Sequence, residues 1–165
     1  VHVRHDRQSE RRPARASRVV VQGTSFVLKM RKKAKLFGTR SVWRGRLRVQ
    51  VSDPTRTIVD ILDDPGLGGG IRHVSLVLEA YFEGEHRDEN RLVEYATRLG
   101  NRTVFKRLGY LVEAMKIEAP ELSQRCRASM STGLTFLDPT LRAKGTIDKR
   151  WNLRVNARIS SGARS

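Results

Sequence analysis

The stretch RLRVQVSDPTRTIVDILDD, residues 46–64, contains the change from strand to helix that decides the fold. In its first half Leu47, Val49 and Val51 alternate with polar residues, which predicts a half-buried strand whose basic side faces outward. In its second half the apolar residues recur at helical spacing instead. The sequence therefore predicts that a strand passes directly into a helix at this point.

A cap marks the start of that helix. Asp53 is suited to accept a hydrogen bond from the first turn, and Pro54 suits the first helical position, where its missing N–H costs nothing. Ser52 precedes this pair. The string Asp63-Asp64-Pro65-Gly66 predicts the end of the helix.

Strand patterns precede this helix, and helical patterns follow it. Residues 18–22 and 25–30 are rich in β-formers and flank Gly23-Thr24, which predicts a hairpin. After the first helix, apolar residues at helical spacing predict further helices, so that the central segment holds four to five. Gly100 and Asn101 mark one boundary between them, and a short last helix is expected from about Pro120 to Met130.

The C-terminal part returns to strand periodicity. Between residues 151 and 159 five apolar residues alternate with Asn152, Arg154, Asn156 and Arg158. This pattern predicts a strand, and we expect it to return to the sheet and pair with the front strands.

The order of elements predicts an α+β fold with N-terminal antiparallel strands, a central helical segment and a C-terminal strand. The length suits one domain. We expect this domain to span residues 18–160, after a basic arm or linker at 1–17 and before a short tail at 161–165. Both ends are polar and lack periodicity.

Charge is distributed unevenly along the chain. The 165 residues include 33 Lys and Arg against 17 Asp and Glu, for a formal net charge of +16. Residues 1–50 contribute +13, residues 51–100 contribute −5, and residues 101–165 contribute +8. Such a balance favours a polyanionic partner.

Signatures of catalysis are missing from the sequence. It has one cysteine, no Gly-x-Ser-x-Gly or His-Glu-x-x-His string, and no lysine with an acidic residue two positions before it. We therefore predict a protein that is not an enzyme and has no metal or cofactor. An enzymatic alternative has two supports: Asp60 and Asp64 lie one helical turn apart, and the glycine-rich residues 66–70 precede a helix whose N-terminus suits a phosphate.

Basic side chains cluster on three predicted elements, where they suit a nucleic-acid backbone. The first cluster surrounds a strand and includes Trp43, which is available for stacking. The second lies on the predicted polar side of the fourth helix, and the third lies on the last strand. The candidate nucleic-acid-binding residues are Arg40, Arg44, Arg46, Arg48, Arg102, Lys106, Arg107, Arg150 and Arg154.

Several strings resemble one family. They are LFGTRSVWRG at residues 36–45, VQVSDPTRTIVD at 49–60, LGNRTVFKRLGY at 99–110 and RWNLRVN at 150–156. Over residues 18–158 the chain resembles the C-terminal domain of AbiEi-type antitoxins, which are transcriptional regulators of abortive-infection, type IV toxin–antitoxin systems. The matched motif residues are Ser52, Asp53, Pro54, Arg56 and Asp60.

The resemblance implies a cytoplasmic antitoxin of phage defence that counteracts a nucleotidyltransferase toxin. It also implies transcriptional autoregulation through binding to promoter DNA, assisted by basic residues of this domain. Family members usually carry an N-terminal winged helix, which residues 1–17 do not contain, so the resemblance also implies a missing N-terminal winged-helix domain. Residues 1–17 would then be a remnant of the linker to that domain. The alternative is a generic basic nucleic-acid-binding module without a toxin partner.

Arg56 and Asp60 of the motif also have a structural interpretation. They are four residues apart, so the two side chains are expected to pair across one helical turn. Gly109 is unfavourable inside a helix, and close packing of another element would explain it.

Overall fold

The computed structural model describes residues 17–28 and 32–159. The chain divides into two compact units, Val1–Leu36 and Phe37–Ser165. The predicted arm, apart from residue 17, and the predicted tail lie outside the described residues.

The first unit contains an antiparallel hairpin of β1 (Ser17–Val21) and β2 (Thr24–Leu28). Gln22 and Gly23 form its turn with φ of 48° and 77°. Positive φ at both central residues is typical of the type I′ turn, whose twist matches that of the strands. The hairpin is confirmed, and its turn lies one residue earlier than predicted. A single 3-10 turn follows at Lys33–Lys35.

The second unit begins with another antiparallel hairpin, of β3 (Thr39–Arg44) and β4 (Leu47–Ser52). Gly45 stands at the first central position of its turn with φ 60°, as a two-residue hairpin loop requires. The prediction that β4 is half-buried is wrong, since Leu47 is 71% and Val49 41% exposed. Alternation shows which residues share a face of a strand, but burial needs a second layer over that face.

Five helices follow in the described chain, in the predicted order. Asp53 caps the first of them, because its Oδ1 accepts a hydrogen bond of 2.7 Å from the backbone N–H of Arg56. Gly100, with φ 78°, ends the third, as its freedom to adopt the left-handed conformation allows. The helices are α1 (Pro54–Asp63), α2 (Ile71–Glu83), α3 (Glu89–Leu99), α4 (Thr103–Ala114) and α5 (Pro120–Ser129).

A three-stranded sheet follows the helices. It consists of β5 (Thr135–Phe136), β6 (Thr146–Asp148) and β7 (Leu153–Val155). The central strand β7 runs parallel to β5 and antiparallel to β6. The α+β class and the order of elements are confirmed. The predicted pairing is wrong, since β7 forms its sheet with β5 and β6, whereas β3 pairs with β4.

Helix α4 lies at the centre of the hydrophobic core. It packs against α1, α3 and α5, and α1 in turn packs against α2 and α3. Trp151, which is 1% exposed, covers α4 from the side of the C-terminal sheet, with its ring directly against Gly109. The indole Nε1–H donates a 2.8 Å hydrogen bond to Oε2 of Glu113, which fixes the ring. This contact accounts for the glycine within the helix.

No helix in the described part of the chain combines the length and the apolar character needed to cross a membrane.

We predict that Gly109→Ala destabilises the fold. The added methyl group would overlap the fixed ring of Trp151. We expect a loss of about 1–3 kcal/mol in the free energy of unfolding, as for overpacked cores, although alanine is the better helix former by about 1 kcal/mol. Urea unfolding followed by circular dichroism measures the change.

The matched control is Gly133→Ala, because no atom lies within 4 Å of a Cβ built at Gly133. This variant should be about as stable as the original protein. A Gly109→Ala variant that is equally stable, or more stable, would contradict close packing of Trp151 on α4.

Candidate nucleic-acid interface

The β3–β4 hairpin displays four arginines from a short segment of chain. Arg40 and Arg44 belong to β3, Arg46 to the turn and Arg48 to β4, and all four are exposed. No carboxylate in the described part of the chain forms an ion pair with any of them. The predicted first cluster is therefore a group of accessible cations on one hairpin.

The two faces of this hairpin differ in chemistry, because residues paired across the strands share a face. Trp43 lies opposite Arg48 and is 69% exposed. On the same face the Gln50 amide donates a 2.6 Å hydrogen bond to the hydroxyl of Ser41. This polar face thus combines a cation, an aromatic ring and hydrogen-bonding groups. The opposite face carries three valines with Leu47, Arg40 and Arg44.

Three of the other predicted cations have contacts of their own away from the hairpin. Arg102 Nε donates to the carbonyl of Ser129 at 2.6 Å. Arg150 Nη2 lies 2.7 Å from Oε1 of Glu113, in an ion pair. Arg154 donates to the Lys144 carbonyl at 3.1 Å and lies over the ring of Phe136. These three cations of the predicted second and third clusters therefore already bind other parts of the chain.

Lys106 does not lie on a polar side of α4, so this prediction is wrong. Its side chain is 0% exposed. The Nζ atom donates to the carbonyl of Gly133 and, at 3.4 Å, to the hydroxyl of Thr135. Burial, together with the positive charge of Arg107, lowers the pKa of Lys106.

Arg107 is the second buried cation of α4, and the prediction of an outward position is wrong for it too. It is 3% exposed, and its guanidinium donates to carbonyls on both sides. The bonds run to Leu62 at 2.8 Å and Asp63 at 3.2 Å in α1, and to Phe136 at 3.1 Å and Leu137 at 3.0 Å. Burial lowers the pKa of Arg107, and nearby aspartates oppose that shift.

Three residues of the motif, Asp53, Arg56 and Asp60, belong to a connected network of hydrogen bonds. Arg56 is 5% exposed and makes a two-pronged ion pair with Asp60, at 2.9 Å and 3.0 Å. Its Nη1 also donates to the carbonyl of Phe37 at 3.1 Å. Asp53, beside its capping bond, accepts a 3.0 Å hydrogen bond from the Tyr95 hydroxyl. The predicted pairing of Arg56 with Asp60 is confirmed, and the network ties the start of the hairpin to α1 and α3.

The N-terminus of α2 already carries an anion from the chain itself. The carboxylate of Asp138 accepts a 2.8 Å hydrogen bond from the backbone N–H of Ile71, directly after the glycine-rich loop. A side chain at Gly70 would come within 3.2 Å of that carboxylate. An external phosphate would have to displace Asp138 to occupy this helix end.

Asp138 was not singled out by the sequence, and its partners explain its position. Its Oδ1 accepts from the backbone N–H of Thr140 at 2.9 Å and from the Thr140 hydroxyl at 2.5 Å. Asn156, one of the polar residues that alternate with apolar ones near the C-terminus, is buried and bonds to both backbone groups of Asp138. Burial alone would raise the pKa of Asp138, but the hydrogen bonds from Ile71 and Thr140, together with the charge of Arg107, hold that pKa below its usual value.

Other reactive groups are also engaged in structure. Asp64 Oδ1 accepts from the backbone N–H of Gly66 at 3.1 Å. Cys126 is fully buried, and burial raises the pKa of its thiol to about 12, which suppresses the nucleophilic thiolate. Among the described residues no group of three or more His, Cys, Asp or Glu side chains is placed to hold a metal ion.

No family model, no curated protein and no solved structure matches the chain.

We predict that Asp138→Asn destabilises the protein at neutral pH by about 1–3 kcal/mol, the usual cost of weakening buried hydrogen bonds to a charged group. Because the pKa of Asp138 is lower in the folded state, its carboxylate stabilises the fold above the unfolded value of about 3.9. This contribution is lost as the pH falls through the folded pKa. Urea unfolding at several pH values between 7 and 2 measures both effects.

The control is Glu118→Gln, which removes an exposed carboxylate and should leave stability unchanged at neutral pH. The difference between Asp138→Asn and the original protein should shrink in acid. A difference of constant size across the range would show that Asp138 does not act through its charge.

Proposed function

We propose that the chain is a non-enzymatic regulatory domain that contacts DNA through its β3–β4 hairpin. The observation that carries this proposal is the set of four exposed arginines on a two-stranded antiparallel ribbon. Guanidinium groups bind phosphate with paired N–H donors, and such contacts position a protein on the duplex. A two-stranded ribbon also fits the width of the major groove of B-DNA.

The distribution of the other cations supports the hairpin over the rest of the surface. Lys106 and Arg107 are buried, and Arg150 is paired with Glu113. The hairpin arginines have no such partners among the described carboxylates, so phosphate would not need to break an existing ion pair. Binding of this kind is largely electrostatic and falls steeply with salt.

Within this proposal the protein serves as an antitoxin and transcriptional regulator. The support for this antitoxin and regulatory role is the set of sequence strings that resemble AbiEi-type antitoxins. The non-enzymatic part is supported by the acidic groups, because Asp60 is paired with Arg56 and Asp138 caps α2.

We predict that replacing Arg44, Arg46 and Arg48 together by Ala weakens binding to duplex DNA. Each lost phosphate contact should reduce the slope of log affinity against log salt by about 1. Fluorescence anisotropy with a labelled duplex at several salt concentrations measures affinity and slope. All three side chains are exposed, so the fold should be unaffected.

A charge-matched control replaces Arg72, Arg127 and Arg142 by Ala, three exposed cations outside the hairpin. This control changes net charge equally but should preserve most of the slope. Equal losses in both triple variants would show that overall charge, and not the hairpin, determines binding. Absence of binding by the original protein at low salt would refute the DNA proposal itself.

The antitoxin role is tested by co-expression with a neighbouring nucleotidyltransferase toxin. We expect the full-length protein to restore growth, and the triple hairpin variant to derepress a promoter reporter. DNA binding without any rescue would favour the generic nucleic-acid-binding module.

A further inference from the structure

A groove of about 330 Å³ lies where the β3–β4 hairpin meets helices α1 and α2. Its walls are mainly apolar and come from Pro54 and Ile58 of α1 and from Val77 and Ala80 of α2. Small-molecule sites of proteins usually occupy about 300–1,000 Å³ and have mainly apolar walls with a few polar groups. The groove lies at the lower end of that range and therefore suits a small ligand.

One wall of the groove is fixed by hydrogen bonds. The Tyr81 hydroxyl exchanges a 2.9 Å hydrogen bond with the Thr55 hydroxyl and accepts another, of 2.9 Å, from the backbone N–H of Asp88. Tyr81 is 6% exposed, so this side chain of α2 is held between Thr55 of α1 and Asp88 at the start of α3. A wall fixed in advance lowers the entropy lost when a ligand binds.

The rim of the groove is basic. Arg40 and His86 line it, and no carboxylate among the described residues does so. The Nε2 atom of His86 lies 3.7 Å from a carboxylate oxygen of Glu85. Arg40 has no ion-pair partner among the described carboxylates, so its guanidinium is the group available to an incoming anion.

We propose that this groove binds a small amphipathic carboxylate, with the apolar body between α1 and α2 and the carboxylate on Arg40. The charge of Arg40 selects an anion, and the apolar walls select against a strongly hydrated one such as inorganic phosphate. Paired N–H donors of a guanidinium match the two oxygens of a carboxylate.

Occupancy of the groove also affects the hairpin. Arg40 belongs to β3 and Ser52 ends β4, so two groove residues stand at the base of the hairpin, in neighbouring positions of its register. A carboxylate on Arg40 removes one cation from those available to DNA. This regulatory consequence rests on the proposed DNA contact, whereas the ligand site itself does not.

The test uses 2-naphthoate and its neutral analogue 2-naphthamide as probes, with the full chain and isothermal titration calorimetry in the absence of DNA. We expect the protein to bind naphthoate more tightly than naphthamide or inorganic phosphate. Arg40→Gln should weaken naphthoate by about tenfold, which is 1.4 kcal/mol, and leave naphthamide unchanged. Ala80→Trp should abolish binding of both naphthalene probes by filling the groove.

The control is Arg72→Gln, an exposed arginine of α2 that does not line the groove, and it should bind naphthoate as the original protein does. Circular dichroism checks that Ala80→Trp is folded, and Arg40→Gln tests the anion site independently. No binding of naphthoate, equal binding of naphthoate and naphthamide, or an unchanged affinity in Arg40→Gln would each overturn the proposal.

The regulatory consequence has a separate readout. Saturating naphthoate should weaken duplex binding and lower its salt slope by about 1, as the loss of one phosphate contact does. An unchanged slope would refute the coupling. A protein that binds naphthoate but no DNA would refute the proposed function and leave the ligand site established.

Discussion

The fold of the second unit depends on one buried cation, the guanidinium of Arg107. It donates to carbonyls at the end of α1 and to carbonyls of the segment that forms β5, so it joins two parts of the chain that are far apart in sequence. The last carbonyls of a helix have no partner within it and form the negative end of its dipole, where a cation is favoured. Without Arg107 the buried carbonyls of Leu62 and Leu137 would lose this donor, at a cost of about 1–3 kcal/mol for each group left unsatisfied. Lys106 repeats the arrangement one residue earlier, at Gly133 and Thr135.

Local chemistry explains why the helices could be predicted from the sequence. Asp53 and Pro54 form a cap whose partners lie within one turn, and Gly100 ends α3 through its own backbone conformation. The acceptor at the N-terminus of α2, by contrast, could not be predicted from neighbouring residues. This acceptor is Asp138, 67 residues later in the chain, and no spacing in the sequence connects the two. A cap from a distant residue needs the tertiary fold before it can be recognised, and for the same reason the glycine-rich loop appeared suited to an external phosphate.

Hydrophobic periodicity predicted burial wrongly in α4 and β4, where burial depends on whether another part of the chain covers the element. In α4 the apolar residues place Lys106 and Arg107 on the flank of the helix, which predicted a solvent-facing side. The segment around β5 covers that flank, and the two cations satisfy its carbonyls. In β4 the reverse occurred: alternating valines and a leucine predicted a buried face, but Leu47 and Val49 on that face are exposed. Gly109 gave a local signal of close packing elsewhere on α4, since a glycine that weakens a helix indicates a close neighbour, here Trp151.

The candidate interface was identified by separating the cations that already bind groups of the protein from those that do not. A net charge of +16 does not say which groups can meet a polyanion. Arg56 and Arg107 are buried with fixed partners, so either could reach a polyanion only by breaking those bonds and leaving its acceptors unpaired. The hairpin arginines remain hydrated and have no ion-pair partner among the described carboxylates, so they can exchange counterions for phosphates without disturbing the core. Because Arg40 lies both on this hairpin and in the lining of the apolar groove, the two proposals together place a small anion and a polyanion in competition for its guanidinium.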